Sequence, residues 1–149
     1  MRSFVGEYQP QWPLLDLDQP KTYGAAGFHD VYYEHKRQQM EAMEVAREVV
    51  GEVAAEFNKA FDRDYGLFET YRLAGAEVAI VVANSTAGTA KVVVDQLRED
   101  GIQAGLLKPR VFRPFPAKEM VEALGHLKAL AVLDRSSSFG AMDLSLIHI

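Results

Sequence analysis

Small polar and basic side chains follow two predicted strands, and their types and spacing suit the binding of an anion. The apolar run at residues 77–83 leads into Asn84, Ser85 and Thr86, where a helical pattern begins. Backbone N–H groups at a helix start attract anions, and arginine side chains bind phosphate or carboxylate through paired hydrogen bonds. The candidates for an anion or cofactor site are Asn84, Ser85, Thr86, Arg110 and Arg113.

A structural role is the alternative for each of these residues, and it is the interpretation we favour. Serine and threonine at a helix start commonly cap the helix. The segment Phe-Arg-Pro-Phe-Pro at 112–116 is typical of a rigid turn that starts the next helix and fixes the direction of Arg113. The predicted loops after three strands also carry Lys108, Asp134, Arg135 and the serines at 136–138.

Other chemistries find no support in the sequence. The phosphate-binding pattern GxxxxGK[ST] and the dinucleotide-binding pattern GxGxxG are both absent. The four histidines, His29, His35, His126 and His148, are not spaced as a metal-ligand set. There are no cysteines, so this chain offers neither a thiolate nucleophile nor ligands for an iron–sulfur cluster. We predict that it contributes no catalytic residue and no metal site.

Composition places the chain among ordinary globular proteins. It has 149 residues, 48% of them hydrophobic, and a formal net charge of −5. That length supports about one domain with a core. The acidic balance argues against a nucleic-acid partner, which usually requires a basic surface. No apolar run reaches the ~20 residues of a membrane span, and the first residues lack a signal-peptide core, so we expect a cytoplasmic protein without a membrane partner.

Two segments precede the predicted sheet. Residues 1–28 contain four prolines or glycines within 10–24 and a further glycine at 27, which predicts an extended connector from an upstream domain. Residues 29–63 predict one long amphipathic helix. Its apolar stripe recurs at spacings of three and four and comprises Ala46, Val49, Val50, Val53, Phe57 and Ala60.

The remaining segment, residues 64–142, alternates between strand and helix patterns. Strands are predicted at 77–83, 102–108 and 129–133, with a further short strand at 67–73. The apolar periodicity after residue 85 predicts a helix that ends near Gly101, and a second helix is predicted at 117–124. Strands joined by helices indicate an α/β domain with a parallel sheet and right-handed crossovers.

Three long stretches of the sequence resemble one enzyme family. They are YYEHKRQQMEAM, YGLFETYRLAGAEVAIVVANSTAGTAKVVVDQLREDGIQAGLLKPRVFRPFPAKEM and LAVLDRSSSFGAM. Together they resemble the alpha-subunit region of pyruvate:ferredoxin oxidoreductase, a thiamine-diphosphate-dependent 2-oxoacid:ferredoxin oxidoreductase, from Met1 to about Met142. The resemblance implies that residues 64–142 form a small three-layer domain similar to the C-terminal domain of transketolase.

The resemblance also implies an activity for the whole enzyme. Pyruvate, CoA and oxidised ferredoxin would give acetyl-CoA, CO2 and reduced ferredoxin. Thiamine diphosphate, Mg2+ and [4Fe–4S] clusters would be held by other domains or subunits, so this chain alone is expected to be organising and inactive. Residues 143–149 depart from the glycine-rich continuation of the family, and we interpret them as a foreign tail. Nothing in this sequence identifies the 2-oxo acid.

Two functions of other classes stay open from the residues themselves. The first is a freestanding anion- or nucleotide-binding module that uses the loops at Asn84 and at Arg110 and Arg113. The second is an interaction module that docks through the helix at 30–61, where Arg37 lies among several polar residues.

Overall fold

The computed structural model describes residues 2–10, 15–21, 24 and 26–136. The chain divides into two compact units, Met1–Ala42 and Met43–Ile149. The first unit contains a one-turn helix, α1 (Arg2–Val5), within the segment that the sequence predicted to be extended. Further along, the carboxylate of Asp16 accepts hydrogen bonds from the backbone N–H groups of Asp18 and Gln19, both at 3.1 Å. Residues 11–14 of the connector lie outside the described residues.

The predicted long helix is present as α2 (Tyr32–Phe61). Polar side chains along it pair within the helix, as Arg37 does with Glu41 at 2.9 Å and Arg47 with Glu44 at 3.1 Å. None of its described residues is buried. Within the described part of the chain, neither this helix nor any other is long and apolar enough to cross a bilayer.

The second unit contains a four-stranded sheet. Its strands are β1 (Phe68–Tyr71), β2 (Val78–Val82), β3 (Ala104–Pro109) and β4 (Ala129–Leu133), in the spatial order β1-β3-β2-β4. Strand β2 pairs in parallel with both β3 and β4, which confirms the parallel sheet predicted for these three strands.

Strand β1, which the sequence predicted as a further short strand without a direction, pairs with β3 in the antiparallel sense. Residues 72–77 connect β1 to β2 without a helix. A parallel neighbour would require a crossover of about a dozen residues or more, so this short connection permits only the antiparallel direction. The connection passes over β3 at Gly105, where an added Cβ would lie 2.9 Å from the Cα of Leu73 and 3.0 Å from the carbonyl oxygen of Arg72.

Two helices cover the sheet on opposite faces and complete the predicted three layers. Helix α3 (Thr86–Glu99) contributes Ala87, Ala90 and Val94 to a core with Val82, Ala104 and Leu106. Helix α4 (Ala117–Leu124) contributes Met120 to a second core with Leu73, Ala79, Val81 and Leu107. Because successive strand residues point to opposite faces, adjacent residues of β3 serve different cores.

Helix α3 ends as the sequence predicted, at Gly101. The glycine has φ +85°, and its N–H donates to the carbonyl of Arg98 at 3.1 Å, while Ile102 donates to Leu97 at 2.9 Å. These two hydrogen bonds form a Schellman motif, which places the left-handed residue immediately after the C-cap. The Schellman motif therefore ends α3 and turns the chain towards β3.

Candidate functional site

The candidate residues gather along one edge of the sheet. Strands β2, β3 and β4 run in parallel, so their C-terminal ends lie at the same edge. Asn84 follows β2, Arg110 and Arg113 follow β3, and Asp134 follows β4. The structure thus brings the three predicted loops to a common edge, as the sequence predicted. Ser137 and Ser138, also named from the sequence, lie outside the described residues.

The loop at Asn84 and Ser85 turns the chain from β2 into α3 through its backbone. Asn84 has φ +58°, a left-handed conformation that asparagine tolerates better than most residues. Gly88 donates its N–H to the carbonyl of Ser85 at 3.0 Å, and Ala87 donates to that of Asn84 at 3.3 Å. The loop is therefore a strand-to-helix turn, the structural role that the sequence favoured.

The expected side-chain cap at Ser85 is wrong. Ser85 occupies the N-cap position, but its side chain makes no capping hydrogen bond. Its φ of −66° and ψ of −28° are helical, whereas a capping residue usually takes extended angles that direct its oxygen towards the next N–H groups. The side chains of Asn84, Ser85 and Thr86 are consequently exposed at the start of the helix.

Arg110 is committed to contacts within the domain. One terminal nitrogen donates to the backbone oxygen of Asp64 at 2.5 Å, and the other lies 2.8 Å from Oε2 of Glu69. Its guanidinium also lies 4.9 Å from the ring centroid of Tyr65. Arg110 is thus engaged by a carboxylate and a backbone oxygen of the same domain, which favours a structural role over anion binding.

Glu69 connects three elements through two cations. From β1, its carboxylate pairs with Lys91 of α3 and with Arg110 after β3. The side chains of Glu69 and Arg110 are each only 24% exposed. The hydrogen bond from Lys91, supported by Arg110, lowers the pKa of Glu69 below its ordinary value, although partial burial opposes the shift. Glu69 therefore stabilises the contacts of β1 and α3 when it is ionised.

This lowered pKa predicts a loss of stability in acid. Glu69 binds a proton less readily in the folded protein than in the unfolded chain, whose carboxyl titrates near 4.5. Its contribution is therefore fully present above pH 4.5 and disappears as the pH falls through the lowered folded value. We expect Glu69→Gln to reduce the free energy of unfolding by about 1.5 kcal/mol at pH 7, the scale of hydrogen bonds to charged groups. Urea unfolding of the variant and of the unmodified protein at pH 7 and pH 3 measures this difference in free energy at each pH.

The matched control is Glu77→Gln, which removes a carboxylate from an exposed ion pair. Glu77 lies 2.9 Å from Lys128, and its side chain is 55% exposed, so the change in unfolding free energy should stay below about 1 kcal/mol. At pH 3 the difference between Glu69→Gln and the unmodified protein should shrink. An undiminished difference at pH 3 would contradict the assigned role of the Glu69 carboxylate.

Arg113 is the candidate cation whose side chain is exposed. Among the described residues it forms no ion pair, and its peptide bond to Pro114 is cis. Phe115 packs into the α4 core, while Phe112 meets Phe115 edge-on at 6.0 Å and is 46% exposed. Only one of the two aromatic side chains thus supports the turn from below. Pro116 occupies the N-cap position of α4, in agreement with the predicted helix start.

Sequence reasoning missed the polar network that surrounds Tyr71. The Tyr71 hydroxyl lies 2.9 Å from both carboxylate oxygens of Asp95, and Nε of Arg72 lies 2.6 Å from Oδ1. Tyr71 ends β1 and Asp95 lies in α3, 24 residues further along the chain, so no local spacing in the sequence predicts the pair. The only available signal was a polar Asp95 within the apolar periodicity of α3.

Comparisons with known proteins assign this domain to a family. Residues 76–148 match the family model described as pyruvate:ferredoxin oxidoreductase core domain II. The pyruvate synthase subunit PorA of Thermotoga maritima is 48% identical over 141 residues, which cover 95% of this chain and 36% of that protein. PorA of Methanocaldococcus jannaschii is 42% identical over 142 residues, which cover 94% of this chain and 36% of that protein.

The ketoisovalerate oxidoreductase subunit VorA of Pyrococcus horikoshii is also similar to this chain, and its name gives a different 2-oxo acid. It is 38% identical over 139 residues, which cover 93% of this chain and 35% of that protein. The chain therefore belongs to the pyruvate:ferredoxin oxidoreductase family, and the resemblance stated from the sequence is confirmed. It spans about a third of the length of the curated relatives that it matches.

Proposed function

We propose that this chain is the organising part of an alpha subunit of pyruvate:ferredoxin oxidoreductase. The complete enzyme would convert pyruvate, CoA and oxidised ferredoxin to acetyl-CoA, CO2 and reduced ferredoxin. The observation that carries the proposal is the 48% identity to a pyruvate synthase subunit across 95% of this chain. That extent includes α2 and most of the connector, so it relates the chain to a subunit and not to one domain alone.

An organising role agrees with the geometry of the strand ends. Arg110 is paired with Glu69, and the loop at Asn84 is held by backbone hydrogen bonds. We propose that thiamine diphosphate, Mg2+ and the [4Fe–4S] clusters are held by the remaining domains or subunits of the enzyme. A chain without cysteine cannot supply cluster thiolates itself. Ferredoxin and CoA would then meet the assembly, and the cytoplasmic location remains a prediction.

The proposed division of the chain follows from the same reasoning. Residues 1–28 would connect to a further domain, residues 29–63 would form the helix between domains, and residues 64–142 would form the transketolase C-terminal-like domain. Residues 143–149, interpreted from the sequence as a foreign tail, lie outside the described residues, and the family match extends into them as far as residue 148. The helix α2 (Tyr32–Phe61) and the sheet from Phe68 to Leu133 fall within these proposed limits.

The proposal is tested by comparing this chain alone with an assembled enzyme whose alpha subunit carries it. Reduction of ferredoxin should require pyruvate and CoA in the assembled enzyme, and the chain alone should show no turnover. Because a ketoisovalerate oxidoreductase subunit is also 38% identical, 2-ketoisovalerate is the comparison substrate. Turnover by the chain alone would contradict an organising role, and a preference for 2-ketoisovalerate would contradict pyruvate as substrate.

A second candidate function is anion binding at the strand ends. The exposed side chains of Asn84, Ser85 and Thr86 start a helix, and the exposed Arg113 follows the neighbouring strand. This arrangement would suit a phosphate group of CoA or of a nucleotide.

This candidate predicts that Arg113→Ala raises the KM for CoA about tenfold or more, with little change in kcat, because a charge-assisted hydrogen bond is lost. Steady-state kinetics of the assembled enzyme measure this effect. Lys118→Ala is the control, because Lys118 is an exposed cation on the first turn of α4. Equal KM values for both variants would remove the anion site and leave the organising role intact.

A further inference from the structure

The apolar stripe of α2 forms a groove that the described residues leave uncovered. The groove has a volume of about 420 Å3 and is lined by Val49, Val50, Val53, Ala54, Phe57 and Tyr65. Val49 is 45% exposed and Val53 is 48% exposed, although both lie on the predicted apolar face. An apolar helical face normally packs against a core, and a stripe left open to this extent indicates a surface that receives a partner.

The sheet domain does not use this stripe. The two cores of the domain are built from the strands, α3, α4 and their flanking residues, and no residue of α2 belongs to either described cluster. At the C-terminal end of α2, Phe57 packs against Phe61 at 4.5 Å and against Tyr65 at 5.5 Å between ring centroids. Since helices in proteins are stabilised mainly by tertiary packing, a helix of 30 residues needs a further contact along its length.

The opposite face of α2 has a different character. Glu44 and Glu48 lie there, about half a turn away from Val53, together with the small residues Gly51 and Ala55. All four are exposed. Charged side chains are depleted from the centres of interfaces, so this face suits solvent, and the stripe is the face that suits an apolar occupant.

The comparisons point to what covers the stripe. The relatives match this chain over 95% of its length, and therefore through α2, whereas the model of core domain II begins only at residue 76. Helix α2 is thus shared by the subunits but lies outside the domain model. About two thirds of each relative lies outside the part that this chain matches.

We propose that the stripe of Val49, Val50 and Val53 is a docking surface for the part of the pyruvate synthase subunit outside this chain. This inference rests on the proposed function. The occupant must present apolar side chains, because the groove offers almost no polar surface to pair with hydrogen-bonding groups. The helix would then hold the sheet domain to the rest of the subunit.

Thiol protection tests the docking directly, because the chain has no cysteine of its own. Val53→Cys places a thiol on the stripe, and Ala55→Cys places the control thiol on the opposite face. Val49→Cys repeats the first measurement in case the Val53 position tolerates no change. Alkylation rates are measured by peptide-resolved mass spectrometry, once in the 149-residue chain and once in an assembled enzyme whose alpha subunit carries this sequence.

In the chain alone, the two thiols should react within about twofold of each other. In the assembled enzyme, the alkylation rates of the Val53→Cys and Val49→Cys thiols should fall by a factor of about ten or more. The buried stripe blocks the reagent until the interface opens locally. The thiol of Ala55→Cys should keep its rate. Equal rates for the stripe and control thiols in an active enzyme would overturn the docking surface and leave the proposed function standing.

Two other results separate the remaining explanations. In the chain alone, the protection of Val53→Cys could rise with protein concentration and show no further increase in the enzyme. That result would assign the stripe to a second copy of this chain and overturn the proposal. Protection in an assembly that fails to reduce ferredoxin with pyruvate would support the docking surface and contradict the proposed function instead.

Discussion

Replacing Gly105 with valine is expected to destabilise the sheet domain by about 3 kcal/mol or more, the upper range for an overpacked core. Gly105 lies in β3, where residues 72–76 cross over the strand. A Cβ at this position would lie 2.9 Å from the Cα of Leu73 and 3.0 Å from both the Arg72 carbonyl oxygen and the Ala76 Cβ. Backbone atoms cannot move aside as a flexible side chain can. Urea unfolding followed by circular dichroism measures the change.

The control is Gly88→Ala in helix α3. A Cβ at Gly88 meets nothing within 4 Å, and alanine favours the helix, so stability should rise by up to about 1 kcal/mol. A variant Gly105→Val that unfolds within about 0.5 kcal/mol of the unmodified chain would contradict the short crossing over β3.

Truncation of either central leucine of β3 should cost about 2–5 kcal/mol, the range for a buried leucine replaced by alanine. Leu106 and Leu107 are adjacent and are both 0% exposed, but Leu106 packs in the α3 core and Leu107 in the α4 core. The two substitutions Leu106→Ala and Leu107→Ala should therefore each leave a cavity on a different face. Chemical unfolding of both single variants measures the two losses.

The control is Leu130→Ala on the edge strand β4, where the side chain is 46% exposed. Its loss should stay near or below 1 kcal/mol, since little buried volume is removed. A small loss at either leucine alone would contradict the three-layer arrangement.

The strongest local patterns in the sequence predicted their elements well. The continuous apolar run predicted at 77–83 is β2 (Val78–Val82), and the strand predicted at 129–133 is β4 (Ala129–Leu133). The helix at 117–124 and the end of α3 at Gly101 also appear where they were predicted. These features depend on periodicity, on glycine and on proline, which act within a few residues and are therefore visible in a single sequence.

The features that the sequence did not reveal depend on distant partners. The direction of β1 follows from a connection that crosses β3, and no residue within Phe68–Tyr71 encodes that crossing. Arg110 was named as a ligand candidate from its place after a predicted strand. Its ion pair with Glu69 joins residues 41 positions apart, so local sequence patterns do not show it. Ser85 has the right residue type for a cap, but the helical backbone angles that it adopts direct its side chain elsewhere. Residue type therefore predicted candidates, while the tertiary contacts of those residues are not visible in a single sequence.

The measurement that tests the central claim most directly is ferredoxin reduction by an assembled pyruvate synthase whose alpha subunit carries residues 26–136 of this chain. The reference enzyme carries the matching segment of the Thermotoga maritima subunit, which is 48% identical. An organising segment of the same family predicts activity that depends on pyruvate and CoA, with a kcat within about tenfold of the reference. An assembled, folded enzyme without such activity would contradict the claim that this chain organises a pyruvate:ferredoxin oxidoreductase.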